Sequence, residues 1–304
     1  MPRPLKVGVQ LPEVEYVASW AQQLEMARAA EKIGLDSVWV GDHLLYRDDG
    51  KPTRAPWEAW TTLAALAAVT SRIEIGPLVA ATSFHNPAML AKKAATLEEI
   101  SGGRLILGLG AGWNRAEYEA YGYPFDHRVS RFEEAFTIIR ELLRSGRSDF
   151  HGAYYQLADC ELLPRGPRAN GPPLMVGSEG PRMLAITLPH VDAWNAWFTW
   201  FGNSPEGYRP MRERIDAACR AVGRDPSEVE RTVALFVAFP GAQGRSMGDL
   251  AEAEVEAISG EAAVLADRLR AFAEEGVAHV QLVLDPITGD TIRALRPTLE
   301  RLDG

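Results

Sequence analysis

Cysteine is scarce in this chain: only Cys160 and Cys219 occur, far apart and without CxxC spacing, which excludes a disulfide framework and a thiolate zinc site. The six histidines are scattered at 43, 85, 127, 151, 190 and 279, none in H-E-x-x-H or a similar metal-ligand pattern, so no metal centre is expected. No apolar run is long enough to span a bilayer, and the opening Met1-Pro-Arg-Pro-Leu-Lys leads straight into a strand-like segment without the apolar stretch of a signal peptide. Blocks of like charge are also missing. The net charge of -9 is spread along the whole length, which argues against a nucleic-acid or anionic-membrane partner and leaves any anionic ligand to a local site. These absences together predict a soluble, cytoplasmic protein.

What is present is apolar material sufficient for a large core: 46% hydrophobic residues in 304 positions, the length of one large α/β barrel or two ordinary domains. Short apolar runs predict strands at 6–11, 37–40, 73–79, 105–109, 174–176, 193–196, 232–239 and 279–284. Amphipathic stretches between them predict helices at 20–33 (closed by Gly34), 57–69, 87–100 (opened by Pro87 and stopped at Ser101-Gly-Gly), 131–143, 261–275 (ended by Gly276) and 291–302. Strands that alternate with helices imply parallel right-handed crossovers, in an open doubly wound sheet or a closed barrel. Eight repeats without a break favour a single-domain (β/α)8 TIM barrel over 1–304, with insertions after strands 4 and 7. The first insertion, 121–173, and the second, 240–258, read as a lid or an interface arm.

In such a barrel the C-terminal strand ends carry the chemistry. The second strand ends in Gly41-Asp42-His43, an acid/base pair in which a carboxylate tunes or orients an imidazole, or else a turn aspartate beside a surface histidine. The fifth ends in Gly177-Ser178-Glu179-Gly180 before Pro181, where backbone N–H groups at a helix start suit a phosphate; an ordinary strand-to-helix turn reads the same way. It is no serine-hydrolase elbow, for the first glycine of G-x-S-x-G is missing. Gly108-x-Gly110-x-Gly112 is not a dinucleotide fingerprint, because Trp113 stands where the third glycine belongs. It fits close backbone approach to a flat ring with Trp113 as a wall, or close packing. The aromatic run Trp194, Trp197, Phe198, Trp200 and Phe201 is too dense to bury on one face, and predicts core, an apolar substrate pocket or a subunit contact.

Several of these stretches together resemble the bacterial luciferase-like superfamily, and within it the coenzyme F420-dependent oxidoreductases. The resemblance runs over nearly the whole chain, strongest in Trp39-Val-Gly-Asp-His43, Trp57-Glu-Ala-Trp-Thr-Thr62, Asn86-Pro-Ala-Met-Leu-Ala-Lys92, Ser101-Gly-Gly-Arg-Leu105, Gly108-Leu-Gly-Ala-Gly-Trp113, Gly122-Tyr-Pro-Phe125 and Asp192-Ala-Trp-Asn195. It implies a TIM barrel, a homodimer and a non-covalent cofactor, F420 or alternatively FMN, acting on a small-molecule substrate. It also implies a bulge near Leu78-Val79-Ala80, often with a non-prolyl cis peptide, that backs one face of the ring. His43 and Asp42 become the catalytic candidates. The implied cofactor contacts are Asp42, His43, Val79, Ala80, Gly112, Trp113 and Asn114 at the ring, and Gly177, Ser178, Glu179 and Gly180 at the phosphate. The chain departs from its relatives at Trp113-Asn114, where they place a glutamate or another polar residue. The activity implied is hydride transfer between F420 and a small organic molecule, or alternatively reduced-FMN-dependent monooxygenation.

Overall fold

A computed structural model describes residues 3–47, 52–244 and 255–304. Its strands and helices in chain order are β1 (Lys6–Gln10), α1 (Trp20–Ile33), β2 (Ser37–Val40), α2 (Ala59–Val69), β3 (Glu74–Pro77), β4 (Ala80–Ala81), α3 (Pro87–Ser101), β5 (Leu107–Gly110), α4 (Arg115–Tyr121), α5 (Arg128–Ser145), β6 (Arg147–His151), β7 (Gln156–Glu161), β8 (Leu174–Gly177), α6 (Pro181–Thr187), β9 (Ala193–Ala196), α7 (Pro205–Ala221), β10 (Glu230–Ala238), α8 (Ala262–Glu274), β11 (Val277–Asp285), α9 (Gly289–Ala294) and α10 (Arg296–Asp303).

The main sheet runs β3-β2-β1-β11-β10-β9-β8-β5-β4, every pair parallel. Its ends meet. The Ile75 N–H donates to the Arg104 carbonyl at 3.0 Å and the Ile106 N–H to the Ile75 carbonyl at 2.9 Å, which closes the cylinder between the third and fourth barrel strands. β3 and β4 are two halves of that third strand, interrupted at Leu78-Val79, whose peptide bond is cis. The expected eight-stranded TIM barrel is therefore the observed architecture, with one strand broken where the bulge was anticipated.

Local signals set the helix bounds. Ser19 and Gln22 form a capping box at the start of α1, and Gly34 ends it in the left-handed region at φ 94°. Asn86 caps α3, with Pro87 at the first helical position and Gly102 closing it. The expected terminal helix at 291–302 is two helices, because Pro297 lacks the N–H needed to continue α9 into α10.

The barrel interior is apolar at the strands but carries two polar layers. Trp39 Nε1 donates to the Ser37 hydroxyl at 2.7 Å, and that hydroxyl lies 2.7 Å from His279 Nε2. The hydroxyl accepts from the indole N–H and is hydrogen-bonded to the imidazole, tying both rings together. Burial pushes this imidazole down to about 3, with Lys6 adding to the effect. Nearer the mouth, Asn195 Nδ2 donates to Thr232 Oγ1 at 2.8 Å and to Gln281 Oε1 at 2.7 Å.

The 121–173 segment is less of an insertion than expected. Its helix, α5, is the ordinary fourth helix of the barrel and packs on α3 and α6. The rest is an antiparallel hairpin, β6–β7, whose tip N–H groups at Ala153, Tyr154 and Tyr155 all donate to the Glu134 carboxylate on α5. The hairpin therefore lies against α5 and not over the barrel mouth. Of the second expected insertion, 240–258, residues 245–254 lie outside the described residues. No helix among the described residues is long and apolar enough to cross a membrane.

Candidate active site

A cavity of about 550 Å³ opens at the C-terminal ends of the strands, lined by residues that follow nearly every one of them. Val79 forms the centre of one wall. Three glycines make room for it: a Cβ at Gly108 would meet Val79 Cγ1 at 2.9 Å, one at Gly110 would meet Cγ2 at 2.8 Å, and one at Gly177 would meet Cγ1 at 3.3 Å. The Gly108-x-Gly110 spacing thus serves packing of the broken third strand, while Gly110 to Trp113 also face the cavity. Gly112 has φ 73°, and a side chain there would collide with the Tyr118 hydroxyl. That hydroxyl donates to the Ala111 carbonyl at 2.8 Å, so the loop before α4 is pinned from inside.

His43 and Asp42 both reach the cavity, but not as a pair. His43 Nδ1 lies 3.1 and 3.0 Å from the two carboxylate oxygens of Glu117, a residue 1% exposed in its side chain. Its Nε2 stands 3.9 Å from Glu13 Oε1, a charge contact too long for a hydrogen bond. Glu13 is held in turn by Gln10 Nε2 at 2.8 Å and by the Tyr46 hydroxyl. Burial alone would lower the His43 pKa. The Glu13 charge, the hydrogen bond and charge of Glu117 and the Asp42 charge outweigh it, so the imidazole stands above its usual 6.5 and favours the protonated form.

Asp42 has a different partner from the one expected. Its Oδ2 accepts the Ala81 N–H at 3.0 Å and contacts His85 Nε2 at 3.0 Å. It therefore braces the chain just after the Leu78-Val79 break and anchors His85, whose ring lies edge-on to Trp60.

Among the other expected contacts, Val79, Gly112, Trp113, Gly177, Ser178 and Glu179 line the cavity, whereas Ala80, Asn114 and Gly180 do not. Ala80 is fully buried in β4. Asn114 caps α4 through Ala116 N–H and donates to the Leu45 carbonyl at 2.9 Å, so its amide is spent on joining two loops. Gly180 is the N-cap of α6. The Ser178 carbonyl accepts from Trp194 Nε1 at 2.7 Å, which fixes the 177–180 turn, and Glu179 pairs with Arg214 at the exposed rim.

The aromatic run turns inward. Trp194 is fully buried, Phe198 stacks on Phe236, Phe201 packs edge-on to Tyr208 and Phe272, and Trp197, Phe198 and Trp200 face the cavity. These positions give it a pocket and core role, with Trp197 and Trp200 left half-buried. Asn203 secures the end of this loop by donating to the Phe236 and Glu256 carbonyls and accepting the Phe236 N–H. No lining residue comes from 121–173, whereas the aromatic loop and, from the second expected insertion, Gly244 and Val255 do line the cavity.

Glu13, Glu117 and His85 escaped the sequence reading. Glu13 stands just beyond β1, and the rule that singled out Asp42 applied to the first strand end finds it. Glu117 sits in the first turn of a short helix, where an acidic residue ordinarily serves the cap. Nothing local points it at a histidine far away in sequence.

A family model described as luciferase-like monooxygenase matches residues 5–241. The chain is 40% identical over 223 residues to an F420-dependent glucose-6-phosphate dehydrogenase of Amycolatopsis mediterranei, a match covering 71% of this chain and 64% of that protein. It is 36% identical over 222 residues to a pyrimidine monooxygenase RutA of Methylorubrum extorquens, covering 70% of this chain and 57% of the relative. The matches thus span less than two thirds of these relatives' length. Among solved structures, an F420-dependent secondary alcohol dehydrogenase in complex with an F420-acetone adduct superposes over 100% of both chains with a TM-score of 0.82 at 21% identity. The monooxygenase RslO1 from Streptomyces bottropensis does so over 98% of this chain and 99% of its own with a TM-score of 0.81 at 19% identity. At those identities the likeness speaks for the barrel alone. The sequence match takes in the greater part of the barrel and both flanks of the cavity, and the chain belongs to the luciferase-like monooxygenase family.

Proposed function

We propose that the protein is an oxidoreductase that binds coenzyme F420 at the barrel mouth and transfers hydride between it and a small organic substrate. The observation that carries this reading is His43. It is an imidazole set between two buried carboxylates whose charges raise its proton affinity, beside a smooth apolar wall at the end of a closed barrel. The cavity falls in the range of roughly 300–1,000 Å³ typical of small-molecule sites, and the Val79 wall, cleared of side chains by Gly110 and Gly177, suits a flat ring. Val79, Gly112, Trp113, Asp42 and His43 would border that ring. The backbone amides of Gly177, Ser178 and Glu179 would hold its phosphate.

When bound, the deazaflavin supplies a hydride donor or acceptor. His43 supplies the matching proton: its Nδ1 is taken by Glu117, and Nε2 is the nitrogen from which a proton reaches substrate or to which it returns. Glu117 and Glu13 orient and charge the ring. The aromatic loop at Trp197 to Trp200 excludes water from the mouth.

A second reading, reduced-FMN-dependent monooxygenation, is supported by the similarity to RutA. Titration of the purified protein with F420 and with FMN, followed by absorbance and by tryptophan quenching, separates the two. Saturable F420 binding with weak FMN binding is expected, and tight FMN binding with no response to F420 refutes the first reading. The same proposal takes the protein as one cytoplasmic domain over 1–304 that forms a homodimer, with the β6–β7 hairpin as an interface arm. A monomer by light scattering at micromolar concentration counts against the dimer.

A further inference from the structure

Two neighbouring residues reach the cavity with opposite surroundings. His43 faces Glu117 and Glu13, whose charges draw it towards its proton-giving form. Asp42 faces donors instead. Its Oδ2 accepts the Ala81 N–H at 3.0 Å and lies 3.0 Å from His85 Nε2. Beyond that ring, Lys93 Nζ stands 3.5 Å from His85 Nδ1 and 6.0 Å from the centroid of Trp60, within reach of the Glu58 charge. A carboxylate only accepts and an ammonium only donates, so Nε2 carries the hydrogen that points at Asp42 and Nδ1 is left to Lys93. The order Lys93, His85, Asp42 thus aims a line of donors at one carboxylate oxygen.

The other oxygen is the useful one. Both oxygens of Glu117 are bonded to His43 or to the Leu44 and Leu45 N–H groups, and those of Glu13 to Gln10 and Tyr46. Glu179 pairs with Arg214 at the rim. Asp42 Oδ1 makes no hydrogen bond among the described residues and is not one of their sealed unpartnered atoms, so it opens on the cavity that Asp42 lines. Leu78, Val79, Ala81 and Phe84 line the same cavity, and a carboxylate oxygen with little water about it is a stronger base than one in bulk solvent. Trp113, Trp197, Phe198 and Phe236 offer ring faces to a flat molecule.

We propose that Asp42 is a general base and that the cavity, with no cofactor, takes a proton from a ring-sized carbon acid, His85 and Lys93 being positioning residues that hold the carboxylate. Oδ1 takes the proton of a C–H bond, the freed electron pair expels a leaving group within the same molecule, and the proton returns to water to restore the carboxylate. A proton-giving imidazole and a proton-taking carboxylate on consecutive residues divide acid and base work between them. This inference concerns the side chains of the cavity alone and stands apart from the redox reading.

The test is the ring opening of 5-nitrobenzisoxazole by the cofactor-free protein, followed by absorbance of the product. Loss of the C–H proton breaks the N–O bond and gives a cyanophenolate, with no co-reactant. Turnover above the buffer rate is expected, and Asp42→Asn lowers kcat/KM by about hundredfold or more. Binding of the unreactive analogue 5-nitroindole, by tryptophan quenching, shows that the variant keeps its cavity. No ring opening above buffer overturns the proposal, and so does full activity in Asp42→Asn. His85→Ala is expected to lower kcat by about tenfold with KM little changed, and His85→Gln, which still donates to Oδ2, to restore it to within about threefold. Equal loss in both variants removes the positioning role. Nitrogen NMR of His85 in the cofactor-free protein is expected to place the proton on Nε2, and a proton on Nδ1 alone counts against that role too. Ring opening without F420 binding would remove the proposed redox activity and leave this inference standing, and F420 binding without ring opening would do the reverse.

Discussion

The Nδ1 atom of His43 lies 3.0 Å from a carboxylate oxygen of Glu117, a residue 74 positions later in the chain. With Glu13 beyond the other ring nitrogen, this contact turns a buried histidine, whose pKa burial alone would lower, into one whose pKa is raised above the ordinary 6.5. Because the folded-state pKa is raised, the stabilising interaction is complete below 6.5 and is lost as pH rises through the higher folded value.

Glu117→Gln tests that account directly. It keeps an oxygen for the Leu44 and Leu45 amides and removes the charge. The His43 pKa, followed by NMR of the imidazole protons, is expected to fall. The alkaline limb of turnover in the proton-donating direction moves to lower pH with it. An unchanged imidazole titration would show that Glu117 does not set the proton affinity.

Gly177→Val probes the Val79 wall. A Cβ at this position would lie 3.3 Å from Val79 Cγ1, and the two further methyls would drive Val79 into the cavity. The Kd for F420, by fluorescence titration, is expected to rise by about tenfold or more, a loss of about 1.4 kcal/mol, with circular dichroism unchanged. Unaltered affinity would detach the cofactor from this wall.

Asn114→Ala separates scaffold from contact. The substitution removes the α4 cap, worth about 1 kcal/mol, and deprives the Leu45 carbonyl of its donor, worth roughly 1–3 kcal/mol when buried. A clear fall in Tm is expected, with the Kd for F420 changed by less than about threefold. A large rise in Kd without loss of stability would return Asn114 to the cofactor site.

His279 works on acid stability with the opposite sign to His43. Its folded pKa of about 3 lies below the ordinary 6.5, so the unfolded chain binds one more proton in between and stability falls as pH drops through that window. The slope is at most about 1.4 kcal/mol per pH unit. Urea titrations from about pH 6.5 downward are expected to show a shallower loss for His279→Gln, which can still hydrogen-bond Ser37 and cannot take up the proton. An equally steep loss would assign acid sensitivity to other groups.

Much of the barrel was legible because parallel strands are buried on both faces and read as plain apolar runs. The strands expected at 37–40 and 193–196 match β2 and β9 residue for residue, and the Gly34 and Gly102 stops are where left-handed backbone ends a helix. The β6–β7 hairpin was not legible. Its residues are mostly exposed, so no alternation of polar and apolar positions marks it. Nor was α7, where Pro205, Gly207 and Pro210 hide a 17-residue helix behind residues that ordinarily break one.

Sequence alone determined the eightfold alternation of strand and helix and the placement of Asp42 and His43 at a strand end, because local periodicity and position along a strand are written in neighbouring residues. Only the tertiary structure decided who pairs with whom. Asp42 went to His85 and His43 to Glu117 and Glu13, and the aromatic run closed inward over the mouth. Those outcomes depend on where barrel closure brings distant strand ends together, and a charge acts across space and not along the chain.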